Sequence, residues 1–162
     1  MADRGARVLG EVCNPVLEVG VGASELPTVR EDPPGAGPLA AIVAGVVELR
    51  ARGHDGPAIV LAVDLPFVEP RVLGWLADHP VPGTVVPRVD GYAQSLCARY
   101  STEALAVAEQ LVAEGEHSMR SLLAAVPVTY LDEQAWGEVC DARTFTDVDT
   151  PEDLQRPGLN NP

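Results

Sequence analysis

Lysine is absent, and all 11 basic residues of the 162-residue chain are arginine. A guanidinium keeps its proton near neutral pH, so the chain has no amine side chain to serve as a tuned general base or Schiff-base former. A compositional preference for Arg over Lys accounts for most of this. Cysteine is scarce too: Cys13, Cys97 and Cys140 are odd in number, far apart and without C-x-x-C spacing. That pattern excludes a disulfide framework or paired zinc ligands and fits a reduced chain. His54, His79 and His117 are equally scattered, so no transition-metal cluster is expected. No apolar run reaches the ~18 residues of a membrane span, and the segment from Met1 to Arg7 lacks the apolar core of a signal peptide. A soluble, cytoplasmic protein is expected. Positive charge is short overall, with 24 acids against 11 bases and a net charge of −13, which disfavours nucleic acid and anionic membrane as partners. Small ligands, metal ions or a basic protein partner remain.

Against these absences, 46% of the residues are hydrophobic, enough at this length for one domain burying roughly 70% of its unfolded surface. The run Ala58-Ile-Val-Leu-Ala-Val-Asp64-Leu-Pro66 is unbroken apolar sequence ending at an acid and a proline. Strands covered on both faces read this way, and open α/β sheets bind ligands beyond the carboxyl ends of their strands. Asp64 therefore stands where a metal or substrate would be met, although an Asp capping the turn that Pro66 enforces reads the same way.

Other elements alternate around it. Val16 to Gly20 reads as a short strand, and Leu39 to about Arg52 as a helix with Pro38 in its first turn. Pro70 to Asp78 reads as a short helix, and Thr84–Pro87 and Ser95–Tyr100 as strands around an Asp90-Gly91 turn. Ser101 or Thr102 caps a helix running to Gly115, Ser118 starts another, and Val126 to Leu131 is strand-like. This alternation predicts a single α/β domain over 1–162, a three-layer Rossmann-like arrangement with a mostly parallel sheet between helices.

The segment Phe145-Thr-Asp147-Val-Asp149-Thr150-Pro151-Glu152-Asp153 is the second acidic feature. Thr150 suits an N-cap, Pro151 the first helical position, and Glu152 and Asp153 the positive end of the helix dipole. That leaves Asp147 and Asp149 without a capping role. Gathered carboxylates need a compensating cation, and a hard oxygen-liganded ion such as Mg²⁺ would fit a pair made by Asp64 and Asp149.

Four motifs in order carry a family resemblance: Asp32-Pro-Pro-Gly-Ala-Gly-Pro38-Leu39-Ala-Ala-Ile42, Leu61-Ala-Val-Asp64-Leu-Pro66, Asp90-Gly91 with Gln94-Ser-Leu96, and Asp147-Val-Asp-Thr-Pro-Glu-Asp153. Together they resemble the MobA-like (molybdenum cofactor guanylyltransferase) nucleotidyltransferases. The resemblance implies a Rossmann-like fold that transfers GMP from GTP, or CMP from CTP, to molybdopterin or another phosphorylated small molecule, with Mg²⁺. It implies Asp64 and Asp149 as metal ligands and catalytic carboxylates. By the same resemblance Asp32, Gly37, Pro38 and Leu39 would bind nucleotide, Asp90 and Gln94 the acceptor, and Ser118 to Arg120 would lie near the acceptor pocket. For Asp90 a plain hairpin-turn role, and for Arg120 a solvated helix face, also account for the sequence.

The family opens with a strand and a glycine-rich loop bearing an Arg and a Lys. Met1 to Cys13 resembles the helix after that loop, so the strand and loop would lie upstream of Met1. Ser95 also stands where a Pro commonly follows the Gln, and Ala41 where a Gly is usual. Two readings follow: an enzyme of which this chain is an N-terminally truncated form, or a non-catalytic relative that binds nucleotide, cofactor or a partner. In the second, a missing inner strand would leave apolar surface to be covered by a partner protein or a homo-oligomer.

Overall fold

The computed structural model describes residues 2–148. Helix α1 (Ala2–Gly10) leads through Asn14 and Pro15 to a two-stranded parallel pair, β1 (Glu18–Val19) with β2 (Thr28–Val29). Helix α2 (Pro38–Ala51) follows, then β3 (Ala58–Leu61), α3 (Pro70–Ala77), β4 (Thr84–Val89), β5 (Tyr92–Ala93) and β6 (Cys97–Tyr100). Helices α4 (Thr102–Ala113) and α5 (Met119–Ala125), strand β7 (Val128–Leu131), a short α6 (Glu133–Trp136) and a 3₁₀ turn (Ala142–Phe145) complete it.

The local chemistry follows the sequence. Ser101 Oγ accepts a hydrogen bond from Ala104 N, and Ser118 Oγ accepts from Arg120 N and Ser121 N, so both serines cap the helices they precede. Pro38 and Pro70 occupy first-turn positions, where a missing N–H costs nothing. Asp90 and Gly91 adopt φ of 50° and 81°, the double positive turn that joins β4 to β5 in two residues. The helix expected after Thr150 lies outside the described residues.

In the main sheet β6 lies between β3 and β4 and is antiparallel to both, so β3 and β4 point the same way, as does β7, parallel to β4. Period-two alternation sends neighbouring side chains to opposite faces. Val85, Cys97 and Leu131 join a core with Val8, Leu73 and Trp136 on one face; Val86, Ala98 and Tyr100 join Leu39, Leu105 and Leu122 on the other. The result is a helix–sheet–helix sandwich with the carboxyl ends of β3, β4 and β7 at one edge.

Arg99, in the middle of β6, is 8% exposed yet faces no carboxylate. Its Nη1 donates to Leu76 O, Ala77 O and His79 O at 3.0 Å each, its Nε to Gly83 O at 3.3 Å, and its Nη2 to Val81 O. Five carbonyls of the α3–β4 connection thus close on one guanidinium. A cation also suits the negative end of α3. Burial first, and the Arg99 charge second, hold the His79 imidazole below its ordinary pKa.

Candidate active site

Asp64 lies three residues beyond β3, half-buried at the carboxyl edge of the sheet. Its carboxylate has no hydrogen bond or ion pair among the described residues, which separates it from an Asp committed to capping a turn. Its backbone oxygen accepts a hydrogen bond from Val148 N at 2.9 Å. Val148 is fully buried, so the Asp147–Val148 stretch is pinned against the end of β3 although 84 positions separate the partners. Asp147 is exposed. Asp149 follows directly and lies outside the described residues.

The Asp90–Gln94 hairpin stands at the same edge. Asp90 is exposed, and its N–H donates to Glu133 Oε1 at 2.8 Å, so the start of α6 braces the turn. The carboxylate's own backbone N–H first, and the Asp90 bond second, hold Glu133 below its ordinary pKa. Gln94 is half-buried; its N–H donates to Pro87 O at 2.8 Å and its Nε2 to Tyr92 O at 3.2 Å.

The nucleotide candidates open α2. Asp32 is exposed, Gly37 takes φ of 104°, and Pro38 sits on the surface. The Gly37 conformation is one that side chains with a Cβ rarely adopt. The Leu39 side chain is fully buried in the core, so at that position only the backbone is free to face a ligand. Gly37 approaches His117, whose carbonyl lies 3.7 Å from where a Cβ would stand. This brings the openings of α2 and α5 together, while Arg120 on α5 points to solvent.

A cleft of about 580 Å³ runs up to Asp64. Gly5, Ala6 and Leu9 of α1, Ile42 and Val46 of α2, and residues 16–19 line it, together with β3. Among the described residues β3 pairs only with β6, so its other edge faces this cleft with backbone groups unpaired. Ala58, Ile59, Val60 and Leu61 are all only half-buried, and Val63 is 56% exposed. A continuous apolar strand is thus covered on one edge and open on the other.

One polar residue in the cleft wall carried no sequence-level assignment. Glu18 takes Ser24 Oγ at 2.6 Å, Ala23 N at 2.7 Å, Ser24 N at 2.8 Å and Gly22 N at 3.0 Å. The Ser24 hydroxyl bond, and then the backbone donors, hold its pKa below the ordinary carboxylate value against the opposing effect of burial. An acid in the otherwise apolar Val16-Leu-Glu-Val-Gly20 strand was the available signal. Because the folded pKa is depressed, this stabilisation is complete above the unfolded carboxylate value near pH 4.3 and is lost as pH falls through the folded one. Glu18→Ala is expected to open residues 20–26 at neutral pH, read as a tenfold or greater rise in their hydrogen exchange while β4 and β6 stay protected. Unchanged exchange there would deny Glu18 its role as the organiser of the loop.

The thiols offer no competing chemistry. Burial, with a smaller contribution from Cys140, pushes Cys97 up to about 12, and burial raises Cys13 and Cys140 too. No group of three or more His, Cys, Asp or Glu side chains suited to a metal occurs among the described residues. No described helix is long and apolar enough to cross a membrane.

Comparison with known proteins bears on the fold and the family. A solved structure of molybdopterin-guanine dinucleotide biosynthesis protein A from Archaeoglobus fulgidus superposes with a TM-score of 0.64 at 27% identity, covering 81% of this chain and 66% of that one. A protein from Aquifex aeolicus VF5 superposes at 0.73 with 15% identity, a likeness of fold. In sequence, the chain is 31% identical over 159 residues to a probable molybdenum cofactor guanylyltransferase of Mycobacterium tuberculosis (strain H37Rv), covering 93% of this chain and 75% of that protein. It is 28% identical to one from Chloroflexus aggregans over 96% of this chain and 77% of the relative. The chain thus spans about three quarters of these relatives. The family model described as the MobA-like NTP transferase domain matches residues 1–133, and the chain belongs to that nucleotidyltransferase family.

Proposed function

We propose that the protein transfers GMP from GTP to molybdopterin, its acceptor phosphate oxygen bonding to the α-phosphorus as the bond to the departing pyrophosphate breaks. The observation that supports this best is the Val148 N to Asp64 O hydrogen bond, which draws the second acidic segment to the strand-end carboxylate. Asp64 suits a hard cation: it is an oxygen donor, half-buried, with no protein partner among the described residues. Asp64 and Asp149 would hold Mg²⁺, which when bound neutralises charge on the triphosphate and the leaving group. Asp32 and the Gly37-Pro38-Leu39 turn would seat the guanine nucleotide, and Asp90 and Gln94 the acceptor. Nucleotidyl transfer needs positioning and charge neutralisation more than covalent catalysis, so strand-end acids and turns are sufficient parts for it.

The cleft belongs to the same proposal. A parallel apolar strand preceding α1 would pair with the open edge of β3, and α1 would then be the crossover of a strand–helix–strand unit ending at β1. A second reading, a non-catalytic module that binds nucleotide, cofactor or a partner, draws its support from that open edge. Pyrophosphate release from Mg–GTP and molybdopterin by the protein isolated from its source cells, alongside its intact mass, separates the two. Turnover by a form heavier than the 162-residue chain supports the enzyme; binding without release, at the mass of this chain, supports the module. Release from CTP but not GTP would overturn the choice of nucleotide alone.

A further inference from the structure

We infer that Arg88 is the residue that takes the phosphate of the acceptor, an assignment that rests on the transfer reaction proposed above. Arg88 is the penultimate residue of β4, within the hairpin that carries Asp90 and Gln94. It pairs with Ala93 across that hairpin, and Gln94 N bonds to Pro87 O beside it. Trp136 Nε1 donates to Arg88 O at 2.9 Å and fixes the backbone.

The side chain is held differently from the other paired arginines. Val86 lies beside Tyr130 in the β4–β7 register, and Arg88, two residues on, emerges on the same face. Its guanidinium carbon accordingly sits 3.6 Å from the centre of the Tyr130 ring. Stacking fixes the plane of the guanidinium and leaves its in-plane donors directed sideways, the geometry that accepts an oxyanion through two parallel bonds. Those donors have no hydrogen-bond or carboxylate partner among the described residues, and Nε is buried without one. Arg50, Arg52 and Arg71 each have a carboxylate within 4.0 Å, and Arg99 has its five carbonyls. A fixed cation without a counter-ion is a costly feature in a chain carrying −13 unless a ligand supplies the anion.

Its position suits the reaction. Arg88 and Asp64 both lie at the carboxyl ends of parallel strands with one strand between them, a lateral separation of about 10 Å at ordinary strand spacing. Tyr130 lies on the far side of β4 from β3, so the guanidinium is held over the β4–β7 pair, and a phosphate bound to Arg88 would lie at the hairpin, across β6 from the carboxylate. The ligand class is a phosphate monoester, recognised by charge and by the planar fork.

The test uses inorganic phosphate as the probe, titrated calorimetrically into the 162-residue chain and variants. Arg88→Met keeps an unbranched apolar stem over Tyr130 and is expected to weaken phosphate binding at least tenfold with the melting temperature nearly unchanged. Arg88→Lys, which keeps the charge but not the fork, is expected to weaken it about threefold or more and serves if the Met variant does not fold. Arg52→Met, at the exposed carboxyl end of α2 where Arg52 pairs with Glu48, is expected to bind as the unaltered chain does. Equal affinity in all three variants, or no phosphate binding by the unaltered chain, overturns the assignment. Mg–GTP binding that depends on Asp64, with phosphate binding indifferent to Arg88, would sink this inference and leave the transferase standing.

Discussion

Asp64→Ala is expected to abolish Mg²⁺-dependent nucleotidyl transfer in the protein as isolated from its source cells, a loss of at least about a thousandfold in kcat/KM, or some 4 kcal/mol of transition-state stabilisation. The fold should survive. Asp64 contributes no side-chain hydrogen bond among the described residues, and the bond that anchors the 147–148 segment uses its backbone oxygen, which alanine retains. The effect should therefore appear in turnover and in Mg²⁺-dependent GTP binding, with thermal unfolding shifted by no more than a few degrees. Retained turnover in this variant would remove Asp64 from the mechanism, and a collapse in stability would return it to the role of a turn residue.

Arg99→Met is expected to have the opposite profile, a large loss of stability with no direct effect on chemistry. Methionine fills part of the space but leaves five carbonyls of the α3–β4 connection without their donor in a site only 8% exposed. Removing one partner from a buried charged network costs about 3–5 kcal/mol. At about 2–4 °C per kcal/mol for a chain of this size, unfolding should fall by roughly 10 °C by calorimetry. A fall under about 2 °C would mean that water replaces the guanidinium without cost. The pH dependence supplies a second check. The His79 pKa is depressed in the folded state, so its contribution to stability is present above the unfolded value near 6.5 and declines as pH falls through the folded one. Because Arg99 is the second cause of that depression, the Met variant should show a shallower decline below pH 6.5.

These two residues mark what was readable in the chain and what was not. Asp64 was legible because an acid that ends an apolar run breaks a local pattern, and the sheet then places it just beyond the carboxyl end of β3. The alternation of elements, the Ser101 and Ser118 caps, the prolines opening α2 and α3 and the Asp90-Gly91 turn were legible for the same reason: each depends on residues within about four positions. Arg99 also breaks a pattern, as the one charge in Cys97-Ala-Arg-Tyr100, but its acceptors lie 16 to 23 positions away and no local rule names them. The short strands β2 and β5 and helix α6 escaped the sequence reading because elements of two to four residues owe their existence to their neighbours.

By itself, the sequence determined the α/β class, the family and the identities of the acids and turns from which a nucleotidyl-transfer site could be made, since local propensity, hydrophobic period and motif order suffice for these. Only the tertiary structure decided that β6 runs against β3 and β4, that Val148 closes onto Asp64, that Leu39 belongs to the core, that Arg88 lies over Tyr130, and that one edge of β3 stands open onto a 580 Å³ cleft. Each of these depends on pairing between residues far apart in the chain, where register and packing choose the partner and local chemistry does not.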